Sequence, residues 1–272
     1  MYLKIEETHD INIIKKDFNS PIVLRNNFNP IAIKKWNINY FKHCDIPVDV
    51  EYYKEKKDMN VNNVSKYESV PINKALNEIM EDKSPYPYIA EFPITDDVSL
   101  NQDISCNMYD LRKPYSKIMF CGINSVSGFH LHIEDDFLLN QVCGKKTVYL
   151  MDAKLCNFKI NPMYSSKSNF IKEDFLSMDH CGMHIYKVIL NPGDSLLIPP
   201  WWYHLVVGHD FSVSVTNIYE RYSYSYFWDY NYLYVLYLIT SIQERITPNV
   251  AIFIIVILMY IIYCMVCDIL KK

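Results

Sequence analysis

Glycine is scarce in this chain, six residues in 272, and with abundant Asn, Lys, Ile and Tyr the shortage reflects a coding bias rather than a function. Paired cysteine motifs are also missing. The eight cysteines are scattered, and the lone CxxC, Cys264 with Cys267, lies in a run too apolar for a redox or zinc site, which excludes a zinc ribbon. No apolar stretch follows the opening residues MYLKIEETHDINII, so no signal peptide is expected and the thiols are expected to be free in a reducing compartment. Basic excess is absent too: 27 Lys and Arg against 31 Asp and Glu leave a net charge of −4, which gives no whole-chain footprint for nucleic acid. The short basic run at 54–57 reads as a solvated face.

Charge disappears altogether from 246 to 267, and 250–266 is almost wholly apolar. That length matches a bilayer-spanning helix of roughly 20 residues. A buried dimerisation helix would keep one polar face, and this segment has none. A C-terminal transmembrane segment is therefore expected over 246–268, preceded by an aromatic connecting helix over 226–245. Such a chain is anchored in a membrane with its folded domain facing the cytosol.

What is present fits one large domain with an appendage, and half of the residues are hydrophobic, ample for a core. The N-terminal part, 1–116, reads as α/β: a strand over 21–25, a helix over 33–43, a strand over 48–52, a polar loop over 53–68. A helix over 72–81 carries Ile72, Leu76, Ile79 and Met80 on one side. From 117 to 225 short β-rich runs alternate with turn signals, at 117–122, 129–133, 138–142, 147–151, 184–190, 195–198, 204–207 and 211–218. Asn191-Pro192-Gly193-Asp194 is the strongest turn. The pattern predicts a mainly β fold with flanking helices, an antiparallel sandwich or barrel of the jelly-roll class.

The stretch SGFHLHIEDDF, residues 127–137, carries the chemistry. On a strand, alternation points His130, His132 and Glu134 to one face. A further ligand comes from a distant strand, and His204, at the end of Ile198-Pro-Pro-Trp-Trp-Tyr-His204, is the natural donor. Two imidazoles and a carboxylate on one face leave open metal positions, the arrangement used for Fe(II) and O₂. His9, His43, His180, His184 and His209 have no comparable framing and read as surface or core residues.

With these motifs in order, the sequence resembles the JmjC/cupin-like family of Fe(II)- and 2-oxoglutarate-dependent oxygenases. The likeness runs over about 18–222: His130-Leu-His132, Gly144-Lys-Lys146, Pro192-Gly-Asp194, the stretch ending in His204, and Ser212-Val-Ser-Val-Thr-Asn217-Ile-Tyr219. It is nearest the small hydroxylases, such as the tRNA wybutosine hydroxylase and JmjC protein hydroxylases. The resemblance implies a double-stranded β-helix, Fe(II) and 2-oxoglutarate, and a protein side chain or a modified tRNA base as substrate. It also implies dimerisation through C-terminal helices. By the same resemblance His130 and His204 hold iron, Lys146 pairs with the far carboxylate of 2-oxoglutarate, and Ser127, Tyr88 and Asn217 line the cosubstrate pocket. The family places Asp two residues after the first His, where this chain has His132. Either His132 fills that place, with Glu134 beside it, or the register shifts and His132 with Glu134 form the pair; the position of Ser127 favours the first. Two other readings stand beside the oxygenase: a membrane-tethered pseudo-enzyme or binding module, and a three-histidine cupin that uses no 2-oxoglutarate.

Overall fold

The computed structural model describes residues 2–15, 18–44, 46–93, 98–105, 115–132, 135–155 and 169–220. One compact unit, Met1–Lys159 with Asn169–Tyr222, contains everything described below; the other, Ile160–Ser168 with Ser223–Lys272, lies outside the described residues. The connecting helix expected at 226–245 and the transmembrane segment expected at 246–268 therefore also lie outside them. Among the described residues no helix is long and apolar enough to cross a membrane.

Twelve strands are described: β1 (Glu6–Thr8), β2 (Ile22–Leu24), β3 (Pro47–Tyr53), β4 (Lys66–Pro71), β5 (Tyr86–Pro93), β6 (Tyr115–Cys121), β7 (Asp135–Cys143), β8 (Lys146–Asp152), β9 (Tyr186–Leu190), β10 (Ser195–Ile198), β11 (Trp202–Gly208) and β12 (Ser212–Glu220). They form a nine-stranded sheet in the order β1-β2-β10-β7-β12-β6-β5-β3-β4 and a three-stranded sheet in the order β11-β8-β9. All pairings between these strands are antiparallel except β1 with β2.

Side-chain alternation sorts the core into two layers. Val23, Leu139, Leu196 and Ile198 of the large sheet pack with Val148, Leu150, Val188, Leu190, Trp202 and Val206 of the small one. That cluster is the interior of the sandwich. The intervening residues Ile22, Leu24, Leu138, Val142, Leu197, Val213 and Val215 point the other way, into a larger core shared with the helices. Strands buried on both faces explain why 195–198 reads as an unbroken apolar run.

The helical layer comprises α1 (Ala32–Lys35), α2 (Ile38–Lys42), α3 (Lys56–Asn60), α4 (Ile72–Glu81) and α5 (Val98–Ile104). In α4 the buried stripe is Ile72, Ala75, Leu76 and Ile79. Met80, expected on that side, is exposed: at 3.6 residues per turn it sits about 80° around the axis from Ile72. The single helix expected over 33–43 is two. Asn37 breaks it, because its side-chain oxygen accepts from Tyr40 N at 3.1 Å and starts α2 afresh. The expected polar loop over 53–68 holds α3, opened by a capping box between Glu55 and Asp58.

The Pro192-Gly193-Asp194 turn is a latch. The Asp194 carboxylate accepts from Arg25 Nη1 at 2.7 Å, Asn26 N at 3.2 Å and Asn191 N at 3.0 Å. Arg25 also donates to Glu7 at 2.6 Å. Gly193 (φ +93°) supplies the left-handed residue that closes the turn.

Candidate metal centre

His204 shares its face of β11 with Trp202 and Val206, so the pleat aims it into the sandwich interior. Beside β11 runs 126–130. Ser127 N donates to Val206 O at 3.0 Å, His130 N to His204 O at 3.0 Å, and His204 N to His130 O at 2.7 Å. His130 and His204 are thus directly opposed across a hydrogen-bonded pair. The strand expected over 129–133 is only a bridge: His130 pairs with His204 on one side and with Phe170 on the other. Beyond it, Trp201 N takes the carbonyl of His132 at 2.9 Å. Trp201 holds φ +65°, a conformation costly for a bulky side chain, at the point where it fixes His132.

The ligand nitrogens of His130, His132 and His204 all lie within 4.8 Å of one another, close enough to hold one ion. Two rings are oriented by their own backbone. His130 Nδ1 meets Gly128 O at 2.7 Å, and His204 Nδ1 meets Trp202 O at 3.1 Å. A carbonyl only accepts, so each Nδ1 carries a proton, and Nε2 is the nitrogen left to face a metal. Aromatic faces fix the rings further: Phe170 stacks on His130 at 4.8 Å and Phe137 on His132 at 3.7 Å. Gly128 allows this approach, since a Cβ there would meet the Phe170 ring at 3.0 Å.

Burial holds the pKa of His204 and of His132 well below the usual imidazole value, and repulsion from His130 adds to it; His204 and Lys117 push His132 further, while the Trp202 carbonyl pulls His204 weakly back. Both rings are therefore neutral near pH 7, the state that binds metal. Glu134 lies outside the described residues. Among the described residues the cluster is all imidazole.

Lys146 opens β8 on the same interior face as Val148 and Leu150. It is fully buried, 0% exposed, and donates to Ser214 Oγ, which in turn donates to Gln141 Oε1 at 3.3 Å. No ion pair among the described residues includes it. Leu150 faces His204 across the ladder, so Lys146 begins four residues, about 13 Å, down the strand from the imidazoles. Val148 and Val206 floor the interval. Ser127 stands beside it, its Oγ accepting from Val206 N at 2.9 Å.

One expected pocket residue faces away from the sandwich interior. Asn217 is on the opposite face of β12 from Ser214, accepting from Asn140 Nδ2 at 3.3 Å in a buried network that includes Ser195. Tyr88 is buried on β5, opposite Glu51 of β3. Of the histidines read as structural, His180 bonds Tyr2 and Phe175, and His209 bonds Thr147. Ser214, Phe137, Phe170 and Trp201 escaped the sequence reading. Ser214 alone had a signal, the alternation Ser212-Val-Ser-Val-Thr216, which turns one polar edge of β12 inward.

A mainly β sandwich holding a histidine cluster inside one end of its small sheet is the build of a cupin. Residues 15–228 match the cupin-like domain family, and the chain belongs to it, with JmjC-type proteins among its relatives. It is similar to tRNA wybutosine-synthesizing protein 5 of Mus musculus, 24% identical over 229 residues that cover 74% of this chain and 71% of that protein. JmjC domain-containing protein A of Dictyostelium discoideum is 24% identical over 241 residues, 77% of this chain and 94% of that one. Lysine-specific demethylase JMJ31 of Arabidopsis thaliana is 27% identical over 177 residues, 58% of this chain and 31% of that protein.

Proposed function

We propose that this protein is an Fe(II)- and 2-oxoglutarate-dependent oxygenase that hydroxylates a protein side chain or a modified tRNA base. The observation that carries the reading is the convergence of His130, His132 and His204 beside a fully buried lysine. The residues fit the groups. Three converging imidazoles suit a divalent ion, and a buried ammonium with a hydroxyl as its partner suits a carboxylate. When bound, iron and 2-oxoglutarate supply the O₂-dependent oxidation of a C–H bond, with succinate and CO₂ as co-products.

The protein's own part is placement. Backbone carbonyls at Gly128 and Trp202 hold the ring tautomers. Lys146 fixes the far carboxylate, Ser127 lies between it and the imidazoles, and Val148 and Val206 keep the floor dry. The acidic balance of the chain weighs toward a protein substrate over tRNA. We also place 246–268 in a membrane, with the oxygenase domain on the cytosolic side, and any homodimer contact in 226–245.

The purified full chain, supplied with Fe(II), 2-oxoglutarate and O₂, is expected to release succinate. A chain that releases no succinate and retains no metal would sink the proposal. That outcome would leave a membrane-tethered binding module, the reading favoured by His132 in the place of the family's Asp.

A further inference from the structure

The stretch Val64-Ser-Lys-Tyr-Glu-Ser-Val70 is its own complement about Tyr67: valine answers valine, serine answers serine, and Lys66 answers Glu68. It falls on β4, the last strand of the nine-stranded sheet, and among the described residues no strand pairs with the outer edge of β4. The backbone phase suits pairing there. Ile72 N donates to Ile46 O at 2.8 Å, in the same register that sets Val70, Glu68 and Lys66 opposite Val48, Val50 and Tyr52. Bonded and non-bonded pairs alternate along an antiparallel ladder, so those three residues direct their backbone groups to β3, while Tyr67 and Ser69 turn theirs to the open edge. Tyr67 is 67% exposed. Lys66 and Glu68 share the other face, joined at 2.6 Å, with side chains still 59% and 37% exposed.

From this we infer that β4 pairs with β4 of a second copy of this chain, antiparallel about a two-fold axis at Tyr67, so that two nine-stranded sheets join edge to edge. In that register Tyr67 meets the partner's Tyr67, Ser69 meets the partner's Ser65, and Lys66 meets the partner's Glu68. The outward amide of each Tyr67 donates to the carbonyl of the other, and Ser69 N donates to the carbonyl of the partner's Ser65. Lys, Glu and Pro on an edge commonly guard against chance pairing, and Pro71 ends this strand in that way. Guarding does not explain the arrangement of the charges. Sliding the copies by two residues keeps the hydrogen-bond phase but sets lysine against lysine at 66 or glutamate against glutamate at 68. The register about Tyr67 turns both charges into attraction. The paired strands are short, so the contact is weak, with a dissociation constant in roughly the micromolar range. It is a surface separate from the C-terminal one placed in 226–245, and it does not depend on the oxygenase reading.

The test is oxidative cross-linking of the full chain in detergent, with the wild type giving the background from its eight native cysteines. Across a bonded antiparallel pair the Cα atoms lie about 5.5 Å apart, within disulfide reach, so Tyr67→Cys is expected to yield a cross-linked dimer. Ser69→Cys is expected to yield none above background, because the two copies of that position sit about 13 Å apart along the strands. Adding Lys66→Glu or Glu68→Lys to Tyr67→Cys sets like charges opposite and is expected to cut the yield about fivefold or more. Adding both together is expected to restore it. Circular dichroism checks that each variant is folded. A folded Tyr67→Cys chain that does not cross-link would overturn the inference. Equal yields at 67 and 69 would do the same, since they mark chance collision, as would a double reversal that stays as low as the single ones. A dimer held only by the C-terminal segment belongs to the first of these outcomes: it sediments as a dimer in every variant and leaves Tyr67→Cys unlinked.

Discussion

Replacing Lys146 with Met should make the ligand-free protein more stable and at the same time blind to 2-oxoglutarate. Lys146 is 0% exposed, bonds the Ser214 hydroxyl, and takes part in no ion pair among the described residues. A buried ion costs several kcal/mol even after relaxation, and one hydroxyl returns only part of that. Methionine keeps most of the stem and drops the charge, so the gain is about 2 kcal/mol, in line with replacing buried charge by apolar groups. For a domain of this size that raises Tm by about 4–8 °C.

Ligand reverses the ranking. At about a hundred times its Kd, 2-oxoglutarate with a divalent ion stabilises the wild type by about 2.7 kcal/mol, or about 5–11 °C. The variant should show no such shift. Thermal unfolding with and without ligand, monitored by circular dichroism, measures both effects. A Lys146→Met protein that melts below the wild type and still answers to 2-oxoglutarate would refute the reasoning, for Lys146 would then be a structural donor.

Other consequences can be measured in the same way. Asp103 accepts from Lys35 Nζ, Trp36 Nε1 and Tyr40 OH at 2.8–3.1 Å, so Asp103→Ala should cost about 2–4 kcal/mol in urea denaturation. Burial raises the pKa of Asp103, but the hydrogen bonds from Lys35, Trp36 and Tyr40 outweigh it and hold it below the ordinary value. Its contribution is thus full above the unfolded pKa and lost as pH falls through the folded one; Asp103→Asn should remove that acid dependence. His132 and His204 have the opposite sign of charge, and their folded pKa lies below the unfolded one. Above about pH 6.5 they add no pH dependence, and below it the metal-free protein should lose about 1.4 kcal/mol per pH unit for each, a slope that His204→Asn should reduce. Gly144 sits at φ +72° with its Cβ direction filled by Phe211 O and Asp210 Oδ1, so Gly144→Ala should cost more than 1 kcal/mol. A Gly144→Ala protein with wild-type Tm would contradict that geometry.

Strands were legible where alternation or burial left a clear trace. The run 195–198 and the helix 72–81 appear with the bounds their patterns implied, because both depend on local periodicity. The break at Asn37 was hidden, since a side chain that caps a helix looks the same in sequence as one that decorates it. The three clustered histidines could be named because the alternation expected of a strand sets two of them on one face and a third follows a proline-rich turn. Their tautomers could not, because those depend on carbonyls that only the folded backbone brings within reach. Asn217 shows the limit most plainly: one step of the pleat separates an inward residue from an outward one, and Ser214 points in where Asn217 points out.

The Asp194 latch has a consequence for the order of assembly. It joins Asn26 to a turn 168 residues later, and β2 finds its antiparallel partner only in β10. During synthesis Ile22, Val23 and Leu24 emerge early and wait, apolar and without that partner, until most of the domain has followed. The segment is thus a point of exposure to aggregation on the ribosome, and closure of this edge is a late, long-range step in folding.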